Sequence, residues 1–173
     1  MQTPKRIVQT CLAGILLGAA LTSQALAQGR PSPPAPGKPE PALKAEVKTD
    51  KKQYGVNDAI KLTLTVKNTT KETILLRFSS SQKFDFEIKR GAAPAGETVW
   101  QWARNMMFAQ MMMSTRLEAG KSLTFTETYK PGAKAGDGTA LPPLTAGTYT
   151  AVGTLTSVGN TPRMHTAADF TVK

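Results

Sequence analysis

From Leu43 onward apolar side chains return at every second position, and that period limits what this chain can fold into more than any other feature. Alternate residues of a strand point to opposite faces, whereas a helix needs apolar residues three and four apart. Leu43, Ala45 and Val47 alternate with polar residues, and after a turn at Tyr54–Asp58 so do Ile60, Leu62, Leu64 and Val66. Ile74, Leu76 and Phe78 repeat the pattern, followed by Phe84, Phe86 and Ile88. Val99-Trp100-Gln101-Trp102 places two indoles on one strand face, and Leu123–Phe125, Gly147–Leu155 and Ala167–Val172 supply the later strands. Short strands separated by turn residues at this spacing predict an all-β sandwich of about eight or nine strands. Tyr149, two residues after Gly147, is placed like the tyrosine that pins a strand corner in immunoglobulin-like sandwiches.

The first 42 residues follow a different logic. Lys5 and Arg6 precede an apolar run from Cys11 to Leu21, and Ala25-Leu26-Ala27 offers the small residues that signal peptidase accepts. Residues 1–27 therefore read as a signal peptide cleaved before Gln28, with Ala25 and Ala27 at the cleavage site. The run is shorter than the roughly 20 apolar residues of a membrane span, so no stable span is expected after cleavage. The expected location is exported: periplasmic, cell-surface or secreted. Val8-Gln9-Thr10 before Cys11 does not fit a lipoprotein signal. Residues 28–42 carry half of the twelve prolines and read as a flexible linker, leaving 43–173 as the folded domain. The formal charge of +10 drops to +8 once Lys5 and Arg6 are removed, 20 basic residues against 12 acidic ones. These lysines are scattered along the sequence without interleaved aromatics, which argues for a solvated surface and against nucleic-acid binding.

Catalytic chemistry finds little to work with. His165 is the only histidine, no G-x-S-x-G elbow accompanies it, and the exported chain has no cysteine. The usual zinc ligand sets are out of reach, and no enzyme activity, metal or cofactor is expected. Asp85, between two phenylalanines, reads as a carboxylate bonded to nearby backbone rather than a general base. Asn68-Thr69-Thr70 matches a glycosylation acceptor but reads as a polar turn. Met106-Met107-Phe108-Ala109-Gln110-Met111-Met112-Met113 is the most unusual segment. Its methionines are expected mainly to fill gaps in the core; partner contact and soft ligation of Cu(I) are the alternatives.

Read in order, Val66-Lys67-Asn68, Leu76-Arg77-Phe78-Ser79, Phe84-Asp85-Phe86, Val99-Trp100-Gln101-Trp102, Phe108 and Leu117-Glu118-Ala119-Gly120 resemble the intracellular proteinase inhibitor (BsuPI) family. The resemblance implies an immunoglobulin-like β-sandwich and a binding module that inhibits a subtilisin-like serine protease. Asn68, Phe78, Phe84, Asp85, Phe86, Trp100, Trp102, Phe108 and Gly120 are the motif residues, mainly of core-forming type. The export signal moves the implied target outside the cytoplasm. An inhibitor must present a rigid, exposed segment to the protease cleft. Arg90–Glu97, Ala103–Met107 and Pro131–Thr145 are the candidate loops, and Arg104, Met106 and Met107 are the candidate contacts, because a subtilisin-like pocket accepts long or apolar side chains. The alternative partner is another envelope protein, bound by a non-inhibitory interaction or scaffold domain of the same fold.

Overall fold

The computed structural model describes residues 42–161 and 163–173. The expected signal peptide with Ala25 and Ala27, and the expected linker up to Pro41, lie outside these described residues. Among them the chain forms ten strands and no helix: β1 (Leu43–Thr49), β2 (Gln53–Tyr54), β3 (Ile60–Asn68), β4 (Ile74–Phe78), β5 (Phe84–Arg90), β6 (Glu97–Gln101), β7 (Met113–Leu117), β8 (Ser122–Tyr129), β9 (Gly147–Leu155) and β10 (Met164–Val172). A three-stranded sheet in the order β1-β3-β8 and a five-stranded sheet in the order β2-β10-β9-β5-β6 form an immunoglobulin-like sandwich, and β4 pairs with β7. All ladders are antiparallel except the short β2–β10 pair.

The period-two pattern decides which faces meet. Ile60, Leu62, Leu64 and Val66 of β3 are fully buried, as are Phe86 and Ile88 of β5 and Ala151 and Leu155 of β9. Each large aliphatic or aromatic side chain so removed from water stabilises the fold by about 1.5–3 kcal/mol. At Gly153 the two sheets approach closely: a Cβ there would stand 3.1 Å from both Leu64 Cδ1 and Val47 Cβ, so only hydrogen fits without repacking.

Aromatic pairs close the side of the sandwich where edge strands β6 and β8 face each other. Trp100 meets Tyr129 edge-on at 5.5 Å, Phe84 stacks on Phe125 at 4.7 Å, and Trp102 stacks on Phe84 at 4.5 Å. The two tryptophans thus share the inward face, as their spacing predicts, although β6 itself ends at Gln101. The corner role of Tyr149 also holds: its hydroxyl donates to the Thr145 carbonyl at 2.8 Å while the ring stacks on Phe170. Tyr129 does the same for the neighbouring segment by donating to the Pro142 carbonyl.

Elsewhere in the sandwich, Tyr54 links β2 to the turn before it. Its hydroxyl donates to Asp50 Oδ1 at 2.7 Å and accepts from the Lys51 amide at 2.9 Å. Burial, then the Asp50 hydrogen bond, push the phenol up to about 12. Because the folded protein holds this proton more tightly than an unfolded chain would, Tyr54 favours folding below pH 10, and that contribution fades as pH rises from about 10 toward 12. Alkaline unfolding monitored by circular dichroism should therefore depend less on pH in Tyr54→Phe than in the unaltered protein across that window.

Candidate functional site

The family-motif residues hold the fold together. Asn68, at the end of β3, is wholly buried. Its Nδ2 reaches the carbonyls of Glu72, Leu117 and Glu118 at 2.7, 2.9 and 3.2 Å, and its Oδ1 accepts from the Thr70 amide and hydroxyl. One side chain thereby ties β3, the following turn and the end of β7. The polar-turn reading holds, and an amide engaged in this way is not free to carry a glycan. Gly120, with φ of +69°, makes the left-handed turn from β7 to β8 that a side chain would strain. Phe78 and Phe86 are buried in the core.

Asp85 is bonded to backbone, as its sequence setting suggests. Its Oδ1 accepts from the Phe86 and Ala103 amides at 2.8 and 3.0 Å, while Oδ2 accepts from Gln101 Nε2 at 2.6 Å. It fixes the point where the chain leaves β6 and enters the segment that bears Arg104, Met106 and Met107.

That segment is exposed but held. Arg104 is exposed, Met106 is 40% exposed and Met107 is 99% exposed. Met111 and Met112 are also largely in solvent, and only Met113, on entering β7, packs against the core. The expectation that this run mainly fills the core is therefore wrong. Methionines at consecutive positions cannot share one face, and the segment between β6 and β7 is anchored by other groups. Phe108 lies against Trp102 at 5.9 Å. Ser81 and Ala109 exchange two hydrogen bonds, amide to carbonyl at 2.9 Å and amide to Oγ at 3.0 Å. Asn105 adopts a left-handed φ of 61°, which asparagine tolerates, and its Nδ2 donates to Asp137 Oδ2 at 2.7 Å.

Asp137 belongs to another candidate loop, so two of the three are joined. The Pro131–Thr145 segment is folded back on itself: Gly132 and Ala133 pair with Leu141 at 2.8 Å in each direction, and the Ala135 amide donates to Thr139 at 2.7 Å. Gly136 at its tip sits so close to Asn105 that a Cβ would be 3.3 Å from the Asn105 carbonyl. The side chain and amide of Thr139, together with Asn105, hold the Asp137 carboxyl below the usual carboxylate range, so the clamp stays charged in mildly acidic solution. A cleft of about 610 Å³ runs beneath the joined loops, lined in part by Trp102, Arg104, Met106, Glu127 and Asp137. Burial raises the Glu127 carboxyl above its ordinary value, although a hydrogen bond from Trp102 works the other way. The third loop, Arg90–Glu97, sits at the opposite end of β6 and takes no part in this cluster.

Asn105 and Asp137 are the members that sequence reasoning missed. An Asn between two long side chains, and an Asp flanked by Gly136 and Gly138, are the local signals of a left-handed residue and a tight turn, but their contact spans 32 positions. His165 stands apart on β10, its Nδ1 3.0 Å from Thr154 Oγ1. No group of three or more His, Cys, Asp or Glu side chains that could hold a metal ion occurs among the described residues, and no helix there is long and apolar enough to cross a membrane.

Comparison with known proteins adds one assignment. Residues 47–160 match the intracellular proteinase inhibitor family, BsuPI. No curated protein matches the sequence. Among solved structures, the sporulation control protein Spo0M from Bacillus subtilis is 16% identical, with 77% of this chain and 50% of that one covered and a TM-score of 0.42. The CARDB domain of the PF1109 protein from Pyrococcus furiosus is 15% identical, covering 76% and 87%, at a TM-score of 0.41. A β-glucosidase, EmGH1 from Erythrobacter marinus, is 14% identical over 76% of this chain and 15% of its own length, with a TM-score of 0.42. This chain thus spans half of Spo0M and a small part of the β-glucosidase.

Proposed function

Because this chain belongs to the BsuPI family of intracellular proteinase inhibitors, we propose that it is an exported binding module that inhibits a subtilisin-like serine protease through the joined loops at 103–107 and 133–139. The observation that carries this reading is a segment fully open to solvent at Met107 and yet tied on both flanks, by Asp85 before it, Phe108 after it and Asn105 across to Asp137. Such a segment loses little freedom on docking, and after a cut its ends remain in place, which slows turnover. Backbone and side-chain hydrogen bonds supply here the stiffness that disulfides supply in other small secreted inhibitors. Met107 and Met106 offer flexible apolar side chains to a protease pocket, with Arg104 beside them. Export rests on the pattern from Lys5 to Ala27, and it directs the search for the target to proteases outside the cytoplasm.

Titration of the mature protein against a panel of subtilisin-like proteases tests the proposal. Loss of protease activity with a stoichiometric end point at micromolar concentration or below is expected. Uninhibited proteases that degrade the domain would overturn the reading and leave a non-inhibitory envelope-binding domain in its place.

A further inference from the structure

The lysines that look scattered in sequence are brought together by register. On the outer face of the three-stranded sheet, β1 presents Lys44, Glu46 and Lys48, β3 presents Lys61, Thr63, Thr65 and Lys67, and β8 presents Ser122, Thr124, Thr126 and Thr128. Lys44 lies directly opposite Lys67, and Lys48 lies opposite Thr63, on the diagonal from Lys61. The two lysine-bearing ends of the face stand about 13 Å apart on β1, from Lys44 to Lys48, and about 20 Å apart on β3, from Lys61 to Lys67. Between them Thr63 pairs with Thr126 and Thr65 with Thr124, with Glu46 opposite Thr65 on β1.

Charge on this face is unbalanced. Glu46 is its one acidic residue and is used by Lys48 at 3.2 Å. Lys44, Lys61 and Lys67 make no ion pair among the described residues. Like charges directly opposite across a ladder work against folding, so the Lys44–Lys67 pair brings the fold nothing. The outer face of the five-stranded sheet carries instead Asp85, Glu87 and Asp169 against Lys89, which pairs with Glu87 at 3.3 Å. The domain thus has a basic side and a more acidic one.

We propose that the β1-β3-β8 face binds an acidic polysaccharide. Ammonium groups at both ends fit carboxylates or sulfates spaced along a chain, and the threonine hydroxyls between them can exchange hydrogen bonds with sugar hydroxyls. No aromatic residue stands on this face to stack a base, and no aliphatic one to enter a bilayer, which separates this ligand from single-stranded nucleic acid and from membranes. The surface is distinct from the joined loops and does not depend on protease inhibition.

The test is retention of the full mature chain on immobilised polygalacturonate and dextran sulfate, against duplex DNA and anionic phosphatidylglycerol vesicles. The variant Lys44→Gln/Lys61→Gln/Lys67→Gln is compared with a charge-matched control away from this face, Lys83→Gln/Arg163→Gln/Lys173→Gln. Salt-sensitive retention of the unaltered protein is expected, with binding about tenfold weaker in the face variant and near normal in the control. The face variant should melt no lower than the unaltered protein, since it removes the Lys44–Lys67 repulsion, so weak binding cannot be put down to misfolding. Equal losses in both variants, no retention on either polysaccharide, or tighter binding to DNA or vesicles would each overturn the proposal.

Discussion

Replacing Asn68 with alanine should lower the stability of the domain by about 3 kcal/mol, among the larger effects of any single substitution. The substitution removes the donors to the Glu72, Leu117 and Glu118 carbonyls and the acceptor for Thr70, at a site with no solvent access to compensate. For a domain of this size the midpoint of thermal unfolding should fall by about 10 °C. Asn68→Asp separates the roles of the two side-chain ends. It keeps the oxygen facing Thr70 but turns a carboxylate toward the buried Leu117 carbonyl and its neighbours, so at neutral pH it should be at least as damaging as alanine. In acid the introduced carboxyl is protonated and regains one donor, and part of the loss should be recovered. Differential scanning calorimetry of the two variants at neutral and acidic pH makes the comparison. Equal stability of Asn68→Ala and the unaltered protein would show that the end of β3 is held by something other than this amide.

The second large effect concerns binding and leaves the fold alone. Met107→Glu puts a charge where the most exposed apolar side chain of the joined loops stands, and should weaken protease inhibition by about 2 kcal/mol or more, roughly thirtyfold in the inhibition constant. Since Met107 is 99% exposed, thermal unfolding of this variant should be unchanged. Asn105→Ala acts differently. It leaves every candidate contact in place but cuts the link to Asp137, so the free protein loses its preorganised loop. A smaller loss of affinity, about tenfold, with faster cleavage of the inhibitor on long incubation, is expected. Inhibition kinetics together with mass spectrometry of the incubated protein separate a lost contact from a lost clamp.

How much of this could be read in the sequence follows from how local each signal is. β4 is legible to the residue because Ile74, Leu76 and Phe78 alternate cleanly between turn residues. β2 is two residues long and owes its existence to β10, more than a hundred positions away, so no periodicity announces it. β7 was hidden by its own composition: Met113 closes a run of methionines, and Thr115 stands where an apolar residue would mark the inward face. Ten strands therefore stand where about eight or nine were expected. Asn68 and Asp85 are both buried and hydrogen-bonded to neighbouring backbone, as the polar-turn and backbone-bonded readings of their sequence settings expect. The site was legible only in part. Arg104, Met106 and Met107 could be proposed from loop composition, but their rigidity comes from Asn105–Asp137 and Ser81–Ala109, contacts across 32 and 28 positions. The basic face was missed for the same reason, since the register that sets Lys44 opposite Lys67 is a property of the ladder.

Hydrogen–deuterium exchange of the mature protein, alone and saturated with an inhibited protease target, bears most directly on the central claim that the two joined loops are the contact surface. Protection confined to 103–109 and 133–139, with the β4–β7 pair and the outer face of β1-β3-β8 unchanged, is the expected result. Protection centred on Arg90–Glu97 or on either of those other surfaces, with the joined loops exchanging as before, would contradict it.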